Sequence, residues 1–328
     1  MRRRKFLQTA AGAIGRLAFT GPRFANGTRI VPYSSGSASS SAPRADRTLH
    51  VLGVPLRSGS LYPGNENDAQ AYRDAKLVAR LQAADCRVID DGDVAIPSYL
   101  PHHSIPPIRS WPGPRIAWEC VRDRVTPILQ QPGQVPLLIG CDCSVVVGTT
   151  EALQREHGQD LHVIYVDGDF DDAPPRSDLS HSAASCAVWL LTNESPFRVG
   201  QPLRPEQLTV VGWSSPSLSR QPGPPSVSLA EIRRSSPRES AARILGAIPA
   251  SASILVHLDV DVFQKQELPA AYFPHELGLT SAEGGELLTV LLKDPRIRII
   301  EISEYATLRD LDQRSINKLV GLLSATLN

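Results

Sequence analysis

After the first 45 residues, short apolar runs rich in β-branched residues alternate with longer amphipathic stretches, and this alternation constrains the fold more than any other feature. The run Leu161–Val166 predicts a strand, whereas the amphipathic stretches 68–84, 181–191 and 229–245 each predict one helix. Strands that alternate with helices predict βαβ units. We therefore predict an α/β fold, a three-layer α/β/α sandwich with a mainly parallel central sheet, formed as a single domain by residues 46–328.

The charge distribution excludes one large class of partner. The chain of 328 residues contains 34 basic and 34 acidic residues, but residues 1–45 hold eight of the basic ones and no Asp or Glu. The remaining 26 basic residues face 34 acidic ones, so the body carries a charge of −8. A protein that neutralises nucleic-acid phosphates needs a Lys/Arg stripe, and we expect no nucleic-acid partner. We also expect no stable membrane span, because the chain has no apolar run of sufficient length.

The first 45 residues are typical of a targeting segment followed by a flexible linker. The run Arg3-Arg4-Lys5-Phe6-Leu7-Gln8 precedes a mildly apolar stretch and a Gly/Ser/Ala-rich tail, and it resembles the twin-arginine signal of exported proteins. It predicts export to the periplasm. Two alternatives remain open: a mitochondrial transit peptide, or a wrongly assigned start codon that would leave the protein cytoplasmic.

The five cysteines do not form a disulfide framework. Their number is odd and most lie in apolar segments, so we expect buried free thiols.

Carboxylates cluster directly after several predicted strands. Asp167, Asp169 and Asp171 follow one strand, the pair Asp259 and Asp261 follows another, and a third leads to Glu304. Ligands of parallel α/β sheets bind outside the carboxyl ends of the strands. A single Asp-x-Asp would be an ordinary loop or helix cap, but several like charges at one edge repel one another unless divalent cations bind between them. The sequence therefore predicts a metal centre.

The order and spacing of these motifs resemble the arginase and agmatinase family, the ureohydrolases, over nearly the whole body. Residues 140–144 (Gly-Cys-Asp-Cys-Ser) resemble the family's Gly-Gly-Asp-His-Ser, and residues 167–171 (Asp-Gly-Asp-Phe-Asp) its Asp-Ala-His-x-Asp. Residues 257–261 (His-Leu-Asp-Val-Asp) resemble Ser-x-Asp-x-Asp, and residues 304–307 (Glu-Tyr-Ala-Thr) resemble Glu-x-Asn-Pro.

The resemblance implies a binuclear manganese centre whose hydroxide attacks a guanidinium or amidine carbon. In this chain the metal ligands would be Cys143, Asp167, Asp169, Asp171, Asp259 and Asp261. The resemblance further implies that Asp171 orients the hydroxide or accepts its proton, that His181 shuttles protons and that Glu304 holds the cationic group of the substrate. The family's oligomers also imply a homo-oligomer.

The departures from the family pattern affect the metal and the substrate. Cys143 and Asp169 occupy the two histidine positions. A thiolate at Cys143 would favour zinc or iron over manganese, although Cys143 is equally well interpreted as a buried thiol that binds nothing. Leu179 replaces the asparagine that holds the amino-acid end of arginine. We therefore predict a hydrolase of C–N bonds in a small cationic guanidino or amidino compound other than arginine.

Two other functions remain possible from the sequence. The missing histidines favour a catalytically inactive protein that keeps the fold and serves in binding or sensing. A metal-dependent deacetylase of a related α/β arrangement would need tandem catalytic histidines, and only His102-His103 in the Pro-rich loop of residues 97–114 is available.

Overall fold

The apolar runs form one parallel sheet in the computed structural model, which describes residues 47–56, 68–214 and 223–328. Eight strands are found in these ranges: β1 Thr48–Gly53, β2 Arg87–Asp93, β3 Gln134–Cys141, β4 Leu161–Val166, β5 Leu208–Val211, β6 Ser226–Val227, β7 Ser253–Asp259 and β8 Ile297–Ser303. Their order across the sheet is β2-β1-β3-β8-β7-β4-β5-β6, and every pairing is parallel. The predicted parallel α/β class is confirmed.

Helices follow most of the strands, because parallel neighbours need crossover connections. They are α1 Asp68–Asp74, α2 Leu77–Ala83, α3 Gly113–Leu129, α4 Val145–His157, α5 Ala187–Thr192, α6 Leu229–Arg234, α7 Pro237–Ala247, α8 Ser281–Leu291 and α9 Arg314–Thr326. No helix of the described ranges is long and apolar enough to cross a membrane.

The core consists of two apolar layers, one on each face of the sheet. Successive strand residues point to opposite faces, so Val51 packs in one layer and Leu52 in the other. Helices α1, α2 and α6 to α9 cover the layer that contains Val51, and α3 to α5 cover the layer that contains Leu52. The arrangement is the three-layer sandwich expected from the sequence.

Two predicted helices are each divided in two, so those single-helix predictions were wrong. The stretch 68–84 breaks at Lys76, whose φ of 66° lies in the left-handed region. The stretch 229–245 breaks at Ser236, whose side chain accepts a hydrogen bond from the backbone N–H of Glu239 and caps a new helix with Pro237 at its first position. Proline there fits a helix start but cannot continue a preceding helix.

The helix predicted to begin at His181 starts only at Ala187, after a 3₁₀ turn at Ala184–Cys186. The Ser182 hydroxyl accepts a hydrogen bond from the backbone N–H of Ser185, which holds the chain in a turn. Serine side chains compete with helical hydrogen bonds in this way.

No disulfide links the five cysteines, all of which lie in the described residues. Cys141, Cys143 and Cys186 are buried as expected, whereas Cys86 and Cys120 are half-buried. The twin-arginine-like run lies outside the described residues, and export stays a prediction.

Candidate metal centre

The candidate centre lies where four neighbouring strands end. β3, β8, β7 and β4 are consecutive in the sheet, and the residues that follow them are the motifs found in the sequence. Asp167 follows β4, Asp259 is the last residue of β7, Glu304 follows β8 and Cys143 follows β3. Residues separated by up to 161 positions in the chain therefore come into contact, as in the hydrogen bond between Cys143 and Glu304.

Three aspartates form the middle of the cluster. One carboxylate oxygen each from Asp167, Asp259 and Asp261 lies within 4.8 Å of the other two. Each residue also uses a carboxylate oxygen to fix the loops. Asp167 Oδ1 accepts from the backbone N–H of Asp169 at 2.6 Å, Asp259 Oδ1 from that of Asp261 at 2.7 Å, and Asp261 Oδ1 from that of Gly168 at 3.1 Å.

Burial and mutual repulsion disfavour the charged form of these aspartates unless a counter-charge lies between them. Burial, together with the charges of Asp261 and Asp259, raises the pKa of Asp167 well above its usual value. Burial and the charge of Asp261 do the same to the pKa of Asp259. Asp167 Oδ2 is buried and has no hydrogen-bond partner among the described residues. Buried carboxylates with an oxygen left over are suitable ligands for a divalent cation, so these residues fit the predicted metal.

Cys143 lies against the cluster as a thiol. Its Sγ donates to Asp259 Oδ2 at 2.7 Å and lies 3.2 Å from Ser303 Oγ. Burial, with the charges of Asp259 and Glu304, raises the pKa of the thiol well above its usual value. The structure therefore brings Cys143 to the carboxylate cluster, where its thiol hydrogen-bonds to Asp259.

Two histidines that sequence reasoning missed lie in the same cluster. His275 Nε2 is 3.4 Å from Asp169 Oδ2 and 3.4 Å from Asp261 Oδ2, and these carboxylates raise the pKa of His275 to about 10. A ring nitrogen of His257 lies within 4.8 Å of ligand atoms of Cys143 and Asp167.

His257 is held rigidly from behind. Its Nδ1 lies 2.7 Å from Glu301 Oε2, its Nε2 lies 3.0 Å from Ser303 Oγ, and its ring stacks on Tyr165 with centroids 4.4 Å apart. A carboxylate behind the imidazole is the usual support of a metal-binding histidine. The sequence contained a signal for His257, which lies two residues before Asp259, but contained none for His275.

Asp171 and Glu304 occupy strained positions beside the cluster. Their φ angles are 47° and 60°, in the left-handed region that non-glycine residues rarely adopt. Asp171 Oδ2 accepts from the Tyr165 hydroxyl at 2.7 Å, and burial raises the pKa of Asp171 despite this bond. Glu304 Oε1 accepts from the backbone N–H of Cys143 at 3.3 Å.

His181 lies with the Pro-rich loop. Its backbone N–H donates to the Pro107 carbonyl at 3.0 Å, and its carbonyl accepts from the N–H of Arg109 at 2.8 Å. Burial lowers the pKa of His181, and the charged groups that also affect it are Arg176, Arg109 and Asp178 rather than the clustered aspartates. Its role as a proton shuttle stays a prediction.

The tandem histidines of the deacetylase hypothesis serve the same loop. His103 Nε2 lies 2.8 Å from the Trp111 carbonyl, and His103 Nδ1 accepts from the N–H of Ile105 at 3.2 Å. His102 is exposed. Both ring nitrogens of His103 are thus used within the loop, which gives that hypothesis no support.

Comparison with known proteins also relates this chain to arginases. A sequence model of the Arginase family matches residues 47–326. The hepatic arginase of Aquarana catesbeiana is 30% identical over 179 residues, which cover 54% of this chain and 52% of that protein. The chain spans about half the length of this and several other curated relatives that it matches.

Solved structures share the fold at lower identity. Arginase from Bacillus caldovelox superposes with a TM-score of 0.76 at 21% identity, covering 86% of this chain and 98% of that one. The formimidoylglutamase from Bacillus subtilis gives a TM-score of 0.66 at 16% identity, with 91% and 95% covered.

Fold and site together define a class: parallel α/β/α sandwiches with a candidate metal centre at the carboxyl edge of the sheet. Because the family match extends over nearly all of the chain beyond the leader, the chain belongs to the arginase family. The resemblance read from the motifs is thereby confirmed.

Proposed function

We propose that this protein is a metal-dependent hydrolase that cleaves a non-peptide C–N bond in a guanidino or amidino compound. The observation that carries the proposal is the convergence of Asp167, Asp259 and Asp261 on one buried point, where Asp167 Oδ2 has no protein partner among the described residues. A buried cluster of carboxylates favours the binding of a divalent cation, whose positive charge offsets their mutual repulsion. Family membership supports the reaction class.

The predicted ligands are Asp167, Asp169, Asp171, Asp259 and Asp261, with Cys143 as a sixth candidate. All of them except Asp171 belong to groups of donor atoms that lie within 4.8 Å of one another. Carboxylate oxygens suit manganese, whereas a thiolate ligand at Cys143 would favour zinc or iron. When bound, the ions lower the pKa of a water molecule and so supply a nucleophile near neutral pH.

The protein groups around that point would orient and protonate the reactants. Asp171, whose carboxylate accepts a hydrogen bond from the Tyr165 hydroxyl, would accept the proton of the attacking water. Glu304 is buried beside Cys143 and Asp259, where its carboxylate can bind the cationic end of a substrate. An acidic site of this kind concentrates cations, so a guanidinium or amidinium compound is the expected substrate, with His181 as the predicted proton shuttle.

The alternative is a protein that binds or senses a ligand without turnover. The replacement of the two histidines of the family pattern by Cys143 and Asp169 favours it, because a thiol that stays protonated supplies no metal ligand. Under this alternative, metal affects the stability of the fold and no product is released.

Asp259→Asn separates the two functions. The asparagine keeps an oxygen for the Asp261 N–H but removes the charge, so we expect loss of bound metal and of turnover together. Elemental analysis of the manganese-loaded full chain measures the metal, and release of urea or ammonia from a panel of guanidino and amidino compounds measures turnover. His157→Gln is the control, since His157 ends α4 about 20 Å along the helix from Cys143. A metal-loaded wild type that releases nothing from the whole panel would favour the binding protein.

A further inference from the structure

We propose that His275 is a metal ligand, and that a second cation position is formed by Asp169, Asp261 and His275 beside the one formed by Asp167, Asp259 and Asp261. The inference rests on the proposed metal-dependent function and specifies how its second metal position is built. It assigns a donor from a loop that carries none of the motifs found in the sequence.

The distances support a shared ion. The Nε2 of His275 is 3.4 Å from one carboxylate oxygen of Asp169 and 3.4 Å from one of Asp261. Two donors that each lie about 2.1 Å from one ion are about 3.4 Å apart at the tetrahedral angle and about 3.0 Å apart at a right angle. His275 Nε2 therefore stands at coordination spacing from both carboxylate oxygens, and the three donor atoms all lie within 4.8 Å of one another.

The two positions share a residue. Asp261 belongs to both ligand groups, and its Oδ2 is the atom that faces His275, while its Oδ1 accepts from Gly168. A carboxylate common to two sites places two cations side by side, which is the arrangement of two-metal hydrolytic centres.

Gly168 leaves room for the ring. A Cβ atom at this position would lie 2.7 Å from His275 Cδ2 and 2.9 Å from the Asp261 carbonyl oxygen. The family motif has alanine here, so the glycine and the histidine are two departures that fit each other. Position 169 holds an aspartate instead of the family's histidine, and the imidazole of His275 lies beside this aspartate.

Backbone hydrogen bonds join the two sides of the loop that carries His275. The backbone N–H of Lys265 donates to the His275 carbonyl at 2.7 Å, and that of Gln264 donates to the Leu279 carbonyl at 3.0 Å. Phe263 and Leu279 pair as a parallel bridge. These bonds fix the backbone of His275 before any ion arrives, which reduces the ordering cost of coordination.

The competing interpretation is that His275 is only a counter-charge, a cationic ring between two carboxylates. The two interpretations predict opposite changes in cation affinity when His275 is replaced. Removing a ligand weakens cation binding, whereas removing a positive charge from the site leaves cation binding unchanged or strengthens it.

The experiment titrates the metal-free full chain with Mn²⁺ by calorimetry and follows the electron paramagnetic resonance of the bound ions. We expect two manganese ions per wild-type chain with a spin-coupled signal. His275→Gln should retain one ion and an uncoupled signal, with at least about tenfold weaker binding at the second position. Asp169→His combined with His275→Gln should restore the second ion. His157→Gln should behave as wild type.

Each result decides the matter. Unchanged or tighter binding in His275→Gln would overturn the ligand assignment. If that variant does not fold, Asp169→Asn removes another donor of the same position from a side chain that is 40% exposed, and it should also lose one ion. Two ions in Asp169→Asn would then overturn the proposal. A wild type that binds no Mn²⁺ refutes the metal-dependent function as well, whereas loss of one ion in His275→Gln without turnover in wild type refutes only the hydrolase.

Discussion

At the scale of single residues, two of the residues with left-handed backbone conformation lie beside the carboxylate cluster. Asp171 and Glu304 both have positive φ angles, a conformation that costs on the order of 1–3 kcal/mol for a non-glycine residue. Tyr165 holds the first by a hydrogen bond and the backbone of Cys143 holds the second. Strained residues persist when their surroundings over-determine them, and both lie where the proposed reaction needs a fixed carboxylate.

Replacement of Cys143 by serine tests whether the thiol is a metal ligand. A hydroxyl preserves the donor to Asp259 but removes the soft sulfur, so we expect Mn²⁺ affinity within about threefold of wild type and Zn²⁺ affinity lower by about tenfold or more. Competitive titration of the two metals measures both. Cys86→Ser is the control. Cys86 is half-buried and donates to the Leu327 carbonyl. It immediately precedes β2, whereas Cys143 follows the carboxyl end of β3. A large loss of Mn²⁺ affinity in Cys143→Ser would make Cys143 a manganese ligand.

His162 gives the fold a pH dependence that is independent of the centre. Its Nε2 lies 2.9 Å from Thr209 Oγ1, and burial lowers the pKa of His162 to about 4. Below about pH 6.5, His162 is protonated in the unfolded chain, whereas in the folded chain it stays neutral down to about pH 4. The free energy of unfolding therefore falls as the pH is lowered through this range.

The expected contribution is about 2 kcal/mol of unfolding free energy lost between pH 7 and pH 5. Urea unfolding of the metal-free protein at both values measures it. Wild type and His162→Gln should differ in this pH dependence by about that amount, whatever the absolute stability of the variant. Parallel pH dependences would show that folding leaves the pKa of His162 unchanged.

Part of the site was readable from the residues alone. Asp167, Asp259 and Glu304 follow adjacent strands, and parallel strands end at one edge, so their convergence follows from the alternation of elements. His275 could not be predicted, because its approach to Asp169 depends on the path of the loop between Gln264 and Leu279. That path is set by tertiary hydrogen bonds, which leave no periodic pattern in the sequence.

At the scale of elements, α3 and α4 approach so closely that their contact requires glycine. A Cβ at Gly148 of α4 would lie 2.5 Å from the Trp118 carbonyl oxygen of α3. Gly148→Ala should therefore destabilise the protein by about 1–3 kcal/mol, although alanine is the better helix former. Gly246→Ala in α7 is the matched control: a Cβ there meets nothing within 4 Å, and a gain of up to about 1 kcal/mol is expected. Chemical denaturation compares them, and equal effects would contradict the steric argument.

The elements themselves were predictable to the extent that their cause was local. β4 was predicted with its observed ends, because its apolar run is uninterrupted. The division between α6 and α7 had a local signal in Ser236-Pro237 that the apolar periodicity obscured. The break at Lys76 had none, since lysine is not a residue type that favours the left-handed conformation.

At the scale of the whole molecule, the fold gathers like charges that destabilise it without a cation. Buried aspartates from β4 and β7 meet at one edge of the sheet, in a body whose net charge is −8 beyond residue 45. The apolar layers on both faces of the sheet keep the strand ends in place despite this repulsion. Metal binding should therefore stabilise the whole domain, because the strands that carry the ligands are central to the sheet.

Thermal unfolding of the full chain measures this coupling. Free Mn²⁺ at about 100 times its dissociation constant should add about 2.7 kcal/mol, which raises Tm by on the order of 5 °C for a domain of this size. Chelation should reverse the increase in Tm. Asp259→Asn should show little increase, because it removes the charge of one of the three clustered carboxylates. His157→Gln should respond as wild type. Equal shifts in wild type and Asp259→Asn would place the stabilising ion elsewhere on the acidic surface, whereas a shift confined to the intact cluster ties the stability of the central strands to the proposed centre.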